Sequence, residues 1–253
     1  MIEFVDLAAA KTRTTEIRVV VTGLVPSPWQ EATKGLFRIA RIPIVAVRTA
    51  PRDREIAAWT GVDNVPVVLH GDEPARSSWS AIVALIARLA PGTVLPDEPG
   101  ARADTMGLVE LIAGEGGIGW NGRLAMIHEG IASGGARGFG QPAAGYLAKR
   151  YGYTPTVAEG LRDRVAAQLA HLASRLAGRD YFGGDRPSAV DVYTATFLTP
   201  LFPIGDAECP KLAPALRAAF GAAADTFGAL VPAELAALRA RMFERHLAWP
   251  IEL

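Results

Sequence analysis

The chain has little cysteine, no long apolar run and no excess of charge. Its one cysteine, Cys209, can form neither an internal disulfide nor a Cys-x-x-Cys redox pair. The 26 basic residues balance the 26 acidic ones, so the composition gives no reason to expect nucleic-acid binding. No stretch reaches the roughly 18 uncharged apolar residues of a membrane span. Met1 to Lys11 lacks the basic region and long apolar core of a signal peptide. We therefore expect a cytoplasmic protein that binds neither nucleic acid nor membranes.

Short motifs for metal and phosphate chemistry are missing as well. His70, His171 and His246 are far apart in sequence, and there is no His-Glu-x-x-His or clustered Cys/His pattern. The sequence therefore predicts no metal site. A Gly-x-Ser-x-Gly nucleophile elbow and a phosphate-binding loop are also absent. Half of the 253 residues are apolar, which is enough for one large domain or two small ones.

The first third of the chain alternates β-branched runs with helical patterns. The predicted strands are Ile17 to Thr22, Pro43 to Val47 and Val67 to Leu69, with a short fourth strand after the turn at Gly71 and Asp72. The predicted helices are Pro28 to Arg41, Pro51 to Trp59 and Ser78 to Leu89. The resulting order is βαβαββα, which resembles that of a thioredoxin-like α/β domain.

Strand patterns end after a proline-rich segment, Ala90 to Gly100, which is typical of a linker. The predicted helices beyond it are Ala101 to Ile112, Arg123 to Ile131, Ala143 to Tyr151, Val157 to Ala177, Val190 to Leu201, Pro214 to Phe227 and Pro232 to His246. We therefore expect an N-terminal α/β domain over residues 1–89, a linker over 90–100 and an all-helical domain over 101–253.

Val65 and Pro66 stand at the head of the third predicted strand, where a proline cannot donate to the sheet. If their peptide bond is cis, the main chain of Val65 could pair with an extended peptide; the alternative is an ordinary trans proline at a strand start. Ser77 and Ser78 begin the next helix, and free N–H groups there bind anions. Arg76 could pair with a carboxylate. Alternatively, one serine only caps the helix and Arg76 is solvated.

Two further motifs lie at predicted helix starts. Ser27 and Gln30 fit a capping box, with Pro28 at the first helical position, and the Ser27 hydroxyl could still donate its proton elsewhere. Ser188 and Asp191 form a second capping box before an apolar run.

Taken together, these motifs and the two-domain order resemble the glutathione S-transferase superfamily over nearly the whole chain. The resemblance implies that glutathione is a co-substrate and that Ser27 stabilises its thiolate as a hydrogen-bond donor. It implies that Asp191 and Ser188 form a structural cap of the helical domain. The glutathione contacts that it implies are Trp29, Val65, Pro66, Arg76, Ser77 and Ser78.

The resemblance also implies a cleft for the second substrate, with Trp120, Arg123 and His128 beside it; the alternative is a packed tryptophan next to a surface arginine. We expect a glutathione transferase-like, homodimeric protein that promotes thiolate attack on a small electrophile. The composition is typical of a GC-rich bacterial genome. The family's acidic residue before the helix-starting serine is absent, which favours the alternative of a non-catalytic binding or interaction module. An isomerase or a dehalogenase would differ only in its second substrate.

Overall fold

A computed structural model describes all 253 residues of the chain. The N-terminal part contains a four-stranded sheet with helices on both faces. Its strands are β1 (Ile2–Val5), β2 (Ile17–Thr22), β3 (Ile44–Thr49) and β4 (Val67–Leu69). Its helices are α1 (Leu7–Thr12), α2 (Pro28–Ile39), α3 (Arg54–Thr60) and α4 (Trp79–Leu89).

The strand order in the sheet is β1-β3-β2-β4. β1 and β2 run parallel to β3, and β4 runs antiparallel to β2. Because successive side chains of a strand point to opposite faces, Ile17, Val19 and Val21 of β2 enter the larger core, which α2 and α4 also line. Val20 points the other way, into a smaller core under α1 and α3. The predicted thioredoxin-like fold class is confirmed.

Two details of the sheet differ from the sequence prediction. β1 and α1 were not predicted, and β1 extends the sheet beyond β3. The predicted fourth strand after Gly71 and Asp72 is reduced to one antiparallel bridge between Val68 and Arg76. It is short because the chain turns into α4 at Ser78, only two residues after the bridge.

The remaining chain is helical, as predicted. Its helices are α5 (Pro99–Ala113), α6 (Ile118–Ala132), α7 (Gln141–Arg150), α8 (Pro155–Ala158), α9 (Leu161–Leu176), α10 (Ala189–Leu198), α11 (Pro214–Phe227) and α12 (Ala233–Arg245). Helix α6 begins five residues before the predicted start at Arg123. The helix predicted from Val157 is split, because Gly160 has a φ of 68° and separates α8 from α9.

Helix α10 is the centre of the molecule, since every one of its residues is buried. It packs against α2 of the sheet domain and against α5 and α12 of the helical part. The approach of α2 to α10 requires a glycine at position 35, because a Cβ there would lie 2.8 Å from side-chain atoms of Val192 and Leu247. The larger core is therefore continuous between the two parts of the chain.

The division into residues 1–89, 90–100 and 101–253 remains our proposal, and it accords with the end of α4 at Leu89 and the start of α5 at Pro99. None of the helices combines the length and the apolar character that crossing a membrane would require.

Candidate functional site

Three predicted site segments lie at one end of the sheet. The loop after β2 leads through Ser27 into α2. Val67 pairs with Val20, so the residues just before β4 lie beside the last residues of β2. The bridge between Val68 and Arg76 runs antiparallel, so the residues after Arg76 return to that same end of the sheet. Strand register alone therefore brings together segments that are up to 50 residues apart in sequence.

The main chain of Val65 makes no hydrogen bond within the protein, although the residue is half-buried. The peptide bond between Val65 and Pro66 is cis. The preceding side chain, Asn64, accepts a hydrogen bond of 2.5 Å from Arg150 of α7. The segment is thus anchored on the helical part through Asn64. The N–H and C=O groups of Val65 remain unpaired, and an extended peptide ligand could form hydrogen bonds with them.

The two serines at the start of α4 differ in their hydrogen bonds. The Ser78 hydroxyl accepts from the Ala81 N–H at 3.2 Å and caps the helix. The half-buried Ser77 makes no hydrogen bond in the protein through its hydroxyl or main chain. Because Ser78 already caps α4, Ser77 is the serine whose groups are free for a ligand.

Arg76 is engaged inside the protein. Its guanidinium forms an ion pair with Glu73, which also accepts hydrogen bonds from Arg88 and His70. Hydrogen bonds from Arg88, His70 and Arg76 lower the pKa of the Glu73 carboxyl to about 2. Arg76 could therefore meet a ligand carboxylate only by sharing or leaving Glu73.

The capping box predicted for Ser27 and Gln30 is wrong. Ser27 precedes the first residue of α2, but its hydroxyl makes no hydrogen bond. The Gln30 side chain instead turns toward the preceding loop: its oxygen accepts from the Thr22 N–H at 3.0 Å, and its amide donates to the carbonyls of Thr22 and Val25. Gln30 thus fixes the loop, while the half-buried Ser27 hydroxyl stays available as a donor next to the start of α2.

Trp29 faces the helical part of the protein. Its indole N–H donates to the Ala113 carbonyl at 3.1 Å, and its ring meets the Phe197 ring edge-to-face with centroids 4.8 Å apart. Trp29 and Pro28 line a narrow pocket between α2, α6, α10 and α11. The pocket therefore begins one residue after Ser27.

The three residues predicted beside a second-substrate cleft are not brought together. Arg123 lines the pocket next to Trp29. Trp120 packs on Tyr151 with ring centroids 4.5 Å apart, and His128 hydrogen-bonds the Tyr153 hydroxyl at 2.9 Å. Trp120 and His128 therefore hold the segment after α7 against α6, and neither lines the pocket.

Asp191 is fully buried and serves α10 as a cap. It accepts hydrogen bonds from the Ser188 N–H and hydroxyl at 2.7 and 2.8 Å, and from the Phe182 N–H at 2.9 Å. These bonds tie the preceding loop to the central helix. Burial raises the pKa of the Asp191 carboxyl, but no pocket of the candidate site includes it.

Burial also raises the pKa of the Cys209 thiol, which favours its neutral form. No group of three or more His, Cys, Asp or Glu side chains is placed to hold a metal ion.

Several pocket residues had no signal in the sequence. Some come from helices that the sequence predicts only as apolar runs, and Ile118, Gly119 and Gly122 precede the predicted start of the helix at Arg123, so nothing distinguished them as site residues. These residues are Ile118, Gly119, Gly122, Met126, Phe197, Pro200, Leu201 and Phe220. A Cβ on Gly119 would lie 2.3 Å from the Phe197 ring, so α6 reaches this position only with a glycine there.

The chain thus combines a four-stranded sheet of the thioredoxin-like kind with a following all-helical part, and unpaired main chain lies at one end of the sheet. Residues 155–227 match the family model of the glutathione S-transferase C-terminal domain. No curated protein sequence matches the chain.

Solved structures extend the similarity to about nine-tenths of the chain. A glutathione transferase family member from Pseudomonas fluorescens, solved with two glutathione bound, has a TM-score of 0.60 at 18% identity, over 92% of this chain and 90% of its own. A glutathione S-transferase from Methylobacillus flagellatus with glutathione bound has a TM-score of 0.61 at 15% identity, over 91% and 96%. A beta-etherase from Sphingobium sp. has a TM-score of 0.62 at 12% identity, over 90% and 95%.

The resemblance to the glutathione S-transferase superfamily is confirmed. The chain has the fold of that superfamily, and residues 155–227 match the sequence model of the family's C-terminal domain.

Proposed function

We propose that the protein is a glutathione transferase that binds glutathione at the end of the sheet and promotes attack of its thiolate on a small electrophile. The observation that carries the proposal is the unpaired main chain of Val65 beside the unbonded Ser77. Buried or half-buried N–H and C=O groups are normally hydrogen-bonded, so a ligand with a peptide backbone would complete this site.

The binding mode follows from the groups that are free. The cysteinyl part of glutathione would lie extended beside Val65 in the manner of an added strand, its carbonyl accepting from the Val65 N–H and its own N–H donating to the Val65 carbonyl. The γ-glutamyl carboxylate would lie at Ser77, where the first N–H groups of α4 favour an anion. Pro66 is buried and would form the wall beneath the peptide.

Ser27 supplies the chemistry in this proposal. A free thiol has a pKa near 8.5 and is mostly protonated at neutral pH. A hydroxyl donor and the positive end of α2, both directed at the sulfur, favour the thiolate. The Ser27 hydroxyl has no partner in the protein and is not needed as a cap, so it is free to donate to the sulfur.

We extend the proposal to the remaining predicted contacts and to the setting of the protein. Arg76 would contribute by sharing its guanidinium between Glu73 and the ligand. Trp29 would border the site on the side of the helical domain. A homodimer in a bacterial cytoplasm is the setting that the resemblance implies.

Calorimetric titration with reduced glutathione tests the binding site. We expect binding that Ser77→Ala weakens about tenfold, since a hydrogen bond to a charged group contributes about 1.5–3 kcal/mol. Ser174→Ala is the matched control, because Ser174 is an exposed serine of α9 far along the chain from the site. Absence of binding to the folded wild-type protein would refute the proposed function.

The Ser27→Ala variant tests whether Ser27 stabilises the glutathione thiolate. We expect turnover to fall about ten- to hundredfold, because one hydrogen bond to the anionic sulfur is lost. The unfolding free energy should change by less than about 0.5 kcal/mol, since the hydroxyl makes no hydrogen bond in the protein. The ultraviolet absorbance of bound thiolate, followed against pH, should show the thiol pKa returning toward its free value.

Ser77→Ala is the control for that titration: it should weaken binding and leave the pKa of the bound thiol unchanged. Equal turnover and an equal thiol pKa in Ser27→Ala and the wild type would show that Ser27 has no part in the chemistry.

A non-catalytic binding module is the second candidate, favoured by the engagement of Arg76 with Glu73 and by the missing acidic residue before the serines. It predicts that glutathione binds with its thiol pKa unshifted and that no electrophile is consumed. The same thiolate titration therefore separates the two candidates.

A further inference from the structure

The segment that leads into β4 has a single polar contact with the rest of the protein. Residues 63–65 form no main-chain hydrogen bond, and their only side-chain hydrogen bond joins Asn64 to Arg150 of α7. The Val65 side chain packs against the smaller core. Because apolar packing is not directional, the hydrogen bond from Arg150 is the one directional contact that these three residues receive.

Arg150 is the last residue of α7, and its guanidinium donates to two oxygens. One is the Asn64 side-chain oxygen at 2.5 Å, and the other is the Tyr146 hydroxyl at 3.2 Å. Tyr146 lies one helical turn before Arg150, so the two side chains share a face of α7. The guanidinium is therefore held on its own helix by Tyr146 while it reaches across to the sheet domain.

A second contact joins the same face of α7 to the sheet domain. The guanidinium carbon of Arg52 lies 5.0 Å from the centroid of the Tyr146 ring, within the range of a cation–π contact. Arg52 stands between β3 and α3, and β3 runs parallel to β2, so Arg52 lies at the same end of the sheet as Val65. Helix α7 thus contacts two loops of the sheet domain, both at the end of the candidate site.

Helix α7 is itself fixed on α6. Ala144 is its one fully buried residue, and a Cβ on Gly130 of α6 would lie only 3.1 Å from the Ala144 Cβ. Beyond α7, the ring contact of Trp120 and the hydrogen bond of His128 hold the following chain against α6 as well. Because α7 is attached to α6 along its length and after its end, Arg150 presents its N–H groups from a fixed position.

We propose that Arg150 is a positioning residue for glutathione: through Asn64 it holds the main chain of Val65 in the direction that pairs with the ligand. Without this hydrogen bond, residues 63–65 would sample several directions, and the apparent affinity would fall with the fraction that can bind. A segment that is already ordered also loses less conformational entropy on binding. Arg150 acts only through Asn64, and the inference rests on the proposed function for the identity of the ligand.

Calorimetric titration with reduced glutathione measures the effect. We expect Arg150→Met to weaken binding about three- to tenfold, the usual range for losing one hydrogen bond. Arg150→Lys keeps a donor and the charge and should retain part of the affinity. Lys149→Met is the matched control, because it removes the same charge from the adjacent position of α7, where the side chain is exposed and makes no hydrogen bond. This variant should bind as the wild type does.

A double-mutant cycle shows whether Arg150 acts through Asn64. Asn64→Ala removes the acceptor, so Arg150→Met should have no further effect on affinity in the Asn64→Ala background. The same loss of affinity in both backgrounds would mean that Arg150 acts on the ligand by another route, and would overturn the proposal. Equal affinity of Arg150→Met and the wild type would overturn it as well.

Kinetics separate positioning from a loss of stability. The KM for glutathione should rise in Arg150→Met by the same factor as the Kd, whereas kcat at saturating glutathione should stay constant. The pKa of the bound thiol should also stay constant, because Ser27 belongs to a different loop. Thermal unfolding shows whether each variant folds, and Arg150→Lys serves if Arg150→Met does not. A lower Tm with an unchanged KM would leave Arg150 with a purely structural role and overturn the proposal.

The free protein offers a test that needs no ligand. Backbone order parameters of Asn64 and Val65 should fall from about 0.85 in the wild type to below about 0.6 in Arg150→Met, and stay high in Lys149→Met. Unchanged order parameters in Arg150→Met would overturn the role of Arg150. Order that depends on Arg150, in a wild-type protein that binds no glutathione, would support that role and refute the proposed function.

Discussion

At the scale of single residues, His246 connects the end of α12 with the loop before α10. Its Nε2 lies 2.7 Å from the Tyr181 hydroxyl, and the two rings meet edge-to-face. Burial, and to a smaller extent the charge of Arg245, lowers the pKa of His246 below its usual 6.5. The folded protein therefore favours the neutral imidazole, whose Nε2 can accept a hydrogen bond from the Tyr181 hydroxyl.

This shift predicts how stability depends on pH. Because the folded-state pKa is the lower one, the stabilisation is present above the unfolded-state pKa of about 6.5 and is lost as the pH falls through the folded-state value. We expect the unfolding free energy of the wild type to fall relative to that of His246→Gln between about pH 7.5 and pH 5. Urea unfolding at several pH values measures this difference.

The glutamine variant keeps an acceptor for Tyr181 and removes the titration. His171→Gln, which changes an exposed histidine of α9, is the matched control and should keep the pH dependence of the wild type, since His246 is intact. A constant difference between the wild type and His246→Gln across this range would contradict the prediction.

Residue by residue, the sequence predicted the parts of the candidate site that depend on main-chain position. Val65, Pro66 and Ser77 lie together because strand register places them, and register follows from an apolar pattern that is visible in sequence. The sequence could not predict in which direction the side chains of Gln30 and Arg76 would point. A Gln30 side chain can reach either its own helix start or the preceding loop, and only the folded loop decides between them.

At the scale of elements, α6 owes its position to a glycine. A Cβ on Gly119 would lie 2.3 Å from the Phe197 ring and 3.3 Å from Trp29. We expect Gly119→Ala to destabilise the protein by about 1–3 kcal/mol, the usual cost of overpacking a filled core.

Gly107→Ala is the matched control, since Gly107 lies within α5 and a Cβ there would meet nothing within 4 Å. It should stabilise by about 0.5–1 kcal/mol through the better helix propensity of alanine. Denaturant unfolding of both variants gives the comparison. A Gly119→Ala protein as stable as the wild type would show that α6 can move away freely.

The elements that the sequence missed are short. β1 has four residues, lies at the edge of the sheet and is only partly buried, so its pattern is too brief to separate from a loop. It forms because β3 offers a free edge, and its Phe4 ring receives the Arg48 guanidinium at 3.5 Å. Pairing over long sequence distances of this kind has no local signal, whereas longer periodic helices such as α9 were predicted correctly apart from their ends.

At the scale of the whole molecule, the last residues join the two parts of the chain. Arg48 of β3 donates to the Leu253 carbonyl at 2.6 and 2.8 Å, and Lys34 of α2 donates to the Glu252 carbonyl. The Ile251 N–H donates to the Glu208 carbonyl at 2.8 Å, and the Ile251 side chain is buried in the larger core. The segment therefore contacts the sheet domain and the helical part together.

Ile251→Ala tests whether this segment couples the two parts. We expect the unfolding free energy to fall by about 2–4 kcal/mol, because a buried isoleucine leaves a cavity. Ile131→Ala removes the same atoms from a side chain that is 43% exposed and should change stability by less than about 0.5 kcal/mol. If the larger core unfolds as one unit, amide hydrogen exchange should accelerate in both β3 and α10 of Ile251→Ala. Faster exchange confined to the helical part would show that the sheet domain keeps its stability independently of this segment.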